Sequence, residues 1–196
     1  MDQNGVESAK FSRSDGYGLS ILAKAKNKNA VDELVQNLAN KNKNIASDCI
    51  KVLYETGRLN PSLISAHEKT FLDLLTSKDN RMQWGAMCAL DEIASVEPEV
   101  IFKNLSKILA ASDKGSVITR DHAVNILIKL SSNKKFTATT FPLLIEQLNS
   151  CPPNQLPMYA ENAVHLISEK NKKDEERRLK ELQKELEREK IEEELE

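Results

Sequence analysis

Few residues of this chain have the types and spacing that chemistry needs. They are three histidines (His67, His122, His165), three cysteines (Cys49, Cys88, Cys151) and the adjacent carboxylates Asp91-Glu92. A zinc site needs His and Cys at ligand spacing, but there is no H-E-x-x-H and no C-x-x-C, and the histidines fall in separate segments. A nucleophilic serine needs a G-x-S-x-G elbow, which does not occur. Cys88 has no His or Lys at a matching position to activate it, so it reads as a small, semi-buried residue. Neither glycine pattern that cradles phosphate, G-x-G-x-x-G or G-x-x-x-x-G-K-[ST], is found. Neighbouring carboxylates on a helix point about 100° apart, so Asp91 and Glu92 read as a solvated face rather than an acid–base pair. The expectation is a non-catalytic protein with no cofactor and no metal.

Charge and composition point the same way. Residues 28–167 carry fifteen basic and fifteen acidic side chains, so this stretch lacks the basic footprint of a nucleic-acid binder. Residues 168–196 are different, with nine basic against twelve acidic. No apolar run approaches the roughly 20 residues that span a bilayer, so no membrane partner is expected. The first residues lack the basic and apolar regions of a signal peptide, and the odd cysteine count argues against a disulfide framework. The expected setting is reducing and cytoplasmic, and the sequon at Asn104-Leu105-Ser106 reads as chance.

The elements that position these residues are set by a repeat. A shift of 37 residues aligns the chain with itself three times without a gap. One column is Cys49, Ala86, Ala123, Ala160; a second is Val52, Ala89, Ile126, Ala163. A third is Leu53, Leu90, Leu127, Val164, a fourth Thr56, Ile93, Leu130, Ile167, and a fifth Ile45, Met82, Thr119, Leu156. Within each repeat these positions run i, i+4, i+7, i+8, i+11, the buried stripe of an amphipathic helix. The preceding segment repeats too, in the columns Leu34, Phe71, Ile108, Ile145 and Asn37, Leu74, Ala111, Leu148. Each repeat is therefore read as two helices, A then B. Polar breaks at 41–44, 77–80, 112–116 and 150–154 separate A from B. Breaks at 57–61, 95–98 and 131–135 separate the repeats, with Pro61 and Pro98 suited to a first helical turn. The small column at Ala86, Ala123 and Ala160 is where helices are expected to cross closely. Strand signals are nearly absent.

The pattern resembles HEAT repeats. In that family the second helix tends to carry an apolar–Arg pair, then Ala, then Ala-Leu, then an apolar residue. Met82-Gln83, Ala86, Ala89-Leu90 and Ile93 fit it, as do Thr119-Arg120, Ala123, Ile126-Leu127 and Leu130, and Asp79 supplies the acidic residue of the A–B turn. The family arginine is kept only at Arg120, with Ala46, Gln83 and Pro157 elsewhere, so HEAT and the related armadillo repeats both stay open. The resemblance covers residues from about 28 to 170 and implies an all-α solenoid of about four antiparallel helix pairs with an extended C-terminal helix. The expected domain is 19–172, with repeats at about 28–60, 61–97, 98–134 and 135–171.

In solenoids of this kind the B helices line a concave surface. Its expected stripe is offset from the buried columns: Ser47, Lys51, Tyr54, Arg58; Trp84, Cys88, Asp91, Ser95; Asp121, Asn125, Ile128, Ser132; Met158, Asn162, His165, Glu169. Trp84, Tyr54, Ile128 and Met158 are costly to leave in water, and Trp and Tyr are frequent binding anchors. The leading expectation is a scaffold that binds a protein or peptide there; packing of Trp84 between helices is the plainer reading. Two alternatives stand beside it. Some HEAT-like proteins excise alkylated bases with Trp, Tyr and Asp in a basic cleft, but this stripe holds only Lys51 and Arg58 as cations. Others are accessory, lyase-like factors for bilin chromophores, a reading resting on fold analogy alone.

The ends differ. Residues 1–18 are polar and glycine-containing and read as disordered, with Leu19, Ile21, Leu22 and Ala25 as a short capping helix. Residues 173–196 read as a charged helical extension, supported by Glu176–Lys180, Glu181–Lys184 and Glu187–Lys190 pairs. The last B helix is expected to continue without a break from Leu156 to Glu196. Leu179, Leu182 and Leu186 mark a seam of under two heptads, so the extension is either solvated or a partner-binding or weakly dimerising helix.

Overall fold

The computed structural model describes residues 27–167, and among these every regular element is helical. The elements are α1 (Lys28–Gln36), α2 (Lys43–Leu59), α3 (Glu68–Leu74), α4 (Asn80–Ile93), α5 (Pro98–Lys103), α6 (Leu105–Lys114), α7 (Val117–Ser132), α8 (Thr137–Ser150) and α9 (Leu156–Ala163). The proposed extension, the N-terminal capping helix and Glu169 lie outside the described residues. Two compact units divide within α7, the first ending at Ile126 and the second starting at Leu127.

The B segments of the first three repeats form α2, α4 and α7, and their starts follow local capping chemistry. Asn42 accepts a hydrogen bond from the Asn44 amide, and Asp79 accepts one from the Arg81 amide, so each satisfies an N–H that has no partner inside its helix. Asn27 does the same for α1 through Ala30. The repeat columns are buried in these helices: Cys49, Val52, Leu53 and Thr56 on α2, Met82, Ala86, Ala89, Leu90 and Ile93 on α4, and Thr119, Ala123, Ile126, Leu127 and Leu130 on α7. Ile45 is an exception and stands exposed. Helix α2 also runs into the break expected at 57–61 and ends within it, at Leu59. Gly57 is therefore inside α2 and buried, where a Cβ would collide with Ile64.

The A segments are less regular. The first is α1 followed by a 3-10 turn, Asn37–Ala39, and the second is two 3-10 turns, Pro61–Leu63 and Ser65–His67, leading into α3. The third breaks at Asn104, whose side-chain amide donates to the Val100 carbonyl, leaving α5 and α6. The fourth, α8, contains Pro142, which has no N–H to continue the ladder.

The fourth B segment departs from its columns. Helix α9 buries Tyr159 and Ala163, while Leu156, Ala160, Val164 and Ile167 are exposed. It does not continue as the long helix expected from Leu156. It stops at Ala163, tightens into a 3-10 turn at Val164–Leu166, and Ile167 leaves the helical region with ψ 118°. Two buried side chains on an eight-residue helix give little tertiary support, and a helix that short does not propagate on propensity alone.

Side-chain bridges between successive repeats in the first compact unit join like elements. Asp32 on α1 meets His67 at 3.0 Å, and Asp73 on α3 meets Lys107 on α6 at 3.3 Å, both between A segments. Between B helices, a Cβ on Gly85 of α4 would come within 2.6 Å of Ile50 Cγ1 on α2. That close approach lets α2 and α4 pack tightly together. The crossing uses Gly85 as well as the adjacent Ala86, which is fully buried.

Candidate functional site

The expected stripe of the first two repeats comes together as a ladder across α2 and α4, extended to α7. Because α2 and α4 approach closely at Gly85, side chains one turn along either helix reach across the seam. The Tyr54 and Trp84 rings lie 5.7 Å apart, tilted at 52°, and both are half-buried. Tilted pairs at this spacing gain from edge-to-face attraction as well as from burial. One turn further along α2, exposed Arg58 bonds Glu55 at 3.3 Å and lies 3.9 Å from Glu92 of α4. Burial raises the Tyr54 phenol above its ordinary range, helped by Glu55 and Cys88 and opposed by Arg58 and Arg81.

Four residues of the expected stripe are not on a surface. Cys88 and Asp91 are buried on α4, and Ile128 is buried on α7; Ser47 is buried as well. The reason is that α4 is enclosed on several sides. It packs on α2, α3 and α5, and every residue from Gly85 to Asp91 is buried, so the offset face that would meet solvent on a one-sided amphipathic helix does not exist there. On α7, Val124, Ile126, Leu127, Ile128 and Leu130 spread apolar surface around the axis with the same result.

Burial changes what these groups can do. Loss of hydration, reinforced by the Asp91 charge, pushes the Cys88 thiol up to about 12 against the partial opposition of Arg58. It is a protonated thiol at neutral pH and no nucleophile. Asp91 is only 3% exposed, and its Oδ2 lies 2.7 Å from Nδ1 of His122 on α7. This carboxylate–imidazole contact spans 31 residues and holds a polar group inside the α4–α7 seam. Reading the sequence by columns misses it, because Asp91 and His122 occupy different repeat positions. A signal was present: His122 stands 37 residues after Gly85, in the column that meets the neighbouring B helix. Asn125, on the same helix, is half-buried.

The remaining expected residues belong to the second compact unit. Met158, Asn162 and His165 are exposed, and His165 Nε2 lies 3.3 Å from the Ser132 hydroxyl. Among the described residues no group of three or more His, Cys, Asp or Glu is arranged to hold a metal ion, and no helix is long and apolar enough to cross a membrane.

No protein-family model matches this chain, and no curated protein shows significant similarity to it.

Proposed function

We propose that the chain is a HEAT-like stack of helix pairs and serves as a non-catalytic binding scaffold, with Tyr54, Trp84 and Arg58 as the anchor for a protein or peptide partner. The observation that carries this reading is the Tyr54–Trp84 pair, half-buried and tilted, beside exposed Arg58. Tyr, Trp and Arg are the residue types enriched in protein-binding hot spots. The stack is supported by the 37-residue columns and by bridges that join A to A and B to B. The non-catalytic reading is supported by the protonated Cys88 and the internally engaged Asp91.

The base-excision alternative is weakened on the same grounds. Asp91, the carboxylate it would use, is buried against His122, and the cations of the stripe stay confined to Lys51 and Arg58 of one helix.

The test is affinity capture from native lysate with wild type and a Tyr54→Ala, Trp84→Ala double variant, each first shown to melt cooperatively. The reading expects one or more proteins held by wild type and lost with the double variant. Equal capture by both would remove the anchor assignment. Salt-sensitive retention of DNA by wild type would move the assignment to the nucleic-acid reading.

A further inference from the structure

The α2–α4 seam that holds Tyr54 and Trp84 carries different charge at its two ends. Ile50 meets Gly85, and further along both helices Arg58 approaches Glu92, so α2 and α4 run in the same direction. Lys51 precedes Tyr54 by three residues on α2, and Arg81 precedes Trp84 by three on α4. Residues three apart on a helix are neighbours on one face, so each aromatic has a cation one turn before it. Both cations are exposed, and among the described residues neither forms an ion pair. Burial, Glu55 and Cys88 raise the Tyr54 phenol while Arg58 and Arg81 oppose them, so the charge of Arg81 acts across the seam on the α2 ring. The acids nearest this end do not neutralise it. Asp79 accepts from the Arg81 amide as the cap of α4, and Asp48, one turn before Lys51, forms no ion pair with it.

The other end is opposite in kind. Arg58 bonds Glu55 at 3.3 Å and lies 3.9 Å from Glu92, so two carboxylates share one guanidinium. A negative group laid on the seam is attracted at Arg81 and Lys51 and repelled at Glu55 and Glu92. A nucleic-acid strand fits this badly, because its phosphates bring negative charge along their whole length. A peptide can place one acid where it is wanted and an uncharged side chain beside it.

We infer that the partner segment is an acidic peptide, with an apolar or aromatic side chain lying on the Tyr54–Trp84 rings and an adjacent carboxylate meeting Arg81 and Lys51. Charge thereby fixes the direction in which the peptide runs along the seam. The inference rests on the anchor reading of Tyr54 and Trp84 and adds the chemistry of what they hold.

The experiment pans a displayed library of random short peptides on the full chain. Selected peptides are then titrated into wild type, Arg81→Glu, and the Tyr54→Ala, Trp84→Ala double variant, each first shown to melt cooperatively. The expected peptides carry Asp or Glu next to an aromatic or aliphatic residue and lose binding in the double variant. Arg81→Glu weakens them about tenfold, added salt weakens them in wild type, and replacing the peptide's acid with Lys restores binding to Arg81→Glu. Peptides that need Tyr54 and Trp84 but show no acidic bias, or bind Arg81→Glu undiminished, overturn the inference and leave the anchor reading standing. A single-stranded oligonucleotide that binds with the same dependence on Arg81 overturns it as well, because the cations then read phosphate. If no selected peptide depends on Tyr54 and Trp84, the anchor reading fails and the inference fails with it.

Discussion

At the residue scale, the ladder between α2, α4 and α7 mixes groups of opposite fates. Tyr54, Trp84 and Arg58 keep a solvent-facing portion, whereas Cys88 and Asp91 do not. The thiols should show this directly. At pH 8 a thiol titrating near 12 is ionised only at about one part in 10⁴, so Cys88 should react with a disulfide reagent only when the chain opens. Half-buried Cys151 should react first, and buried Cys49, whose thiol is also raised by burial, should lag with Cys88. Stability should follow pH on the alkaline side for the same reason. An ordinary thiol loses its proton near 9.0, but Cys88 in the fold holds it to about 12, so between these limits the folded state binds more protons than the unfolded one. The contribution is complete below about pH 9 and is lost as pH rises toward about 12, and Tyr54 acts in the same direction. Urea midpoints should therefore fall over that range, less steeply in Cys88→Ala. Asp91→Ala leaves the His122 imidazole inside the seam without its partner and should cost about 1–3 kcal/mol, measured by chemical denaturation. A His122→Ala, Asp91→Ala double variant should cost less than the sum of the two single changes if the contact is a true pair.

At the scale of elements, the B helices depend on close approach and on caps. Gly85→Val should destabilise by about 1–3 kcal/mol, because a branched side chain must displace Ile50 at the α2–α4 crossing. Asp79→Ala should cost about 1 kcal/mol by freeing the Arg81 amide at the start of α4. These helices were legible from the sequence because their periodicity is strong and uninterrupted. The stripe through Met82, Ala86, Leu90 and Ile93 is both the pattern in the chain and the core in the structure. The A segments were less legible, since local hydrogen bonding at Asn104 and the 3-10 turns around Pro61 and Ser65 break helices whose columns still line up. The site was legible in part. Tyr54 and Trp84 do meet, but Cys88, Asp91 and Ile128 were misplaced because periodicity identifies the face that one neighbour covers, not how many neighbours a helix has. In α9 only the Ala163 column is buried as expected: Tyr159 is buried where Ala160 was expected, and Leu156, Ala160, Val164 and Ile167 are exposed.

At the scale of the molecule, the proposed scaffold would hold a partner by shape and a few anchors rather than by a strong field, since residues 28–167 are charge-balanced. The bridges Asp32–His67 and Asp73–Lys107 join segments that correspond under the 37-residue shift. The central claim is that the partner sits on the Tyr54–Trp84 pair. Trp84 is the only tryptophan in the chain, so its fluorescence reports on that place and no other. The most direct measurement is a titration of the captured partner into the protein while following Trp84 emission, with Tyr54→Ala alongside. The account predicts a saturable blue shift in wild type and affinity about tenfold weaker or worse in Tyr54→Ala. Binding at undiminished affinity with no change in Trp84 emission would contradict it.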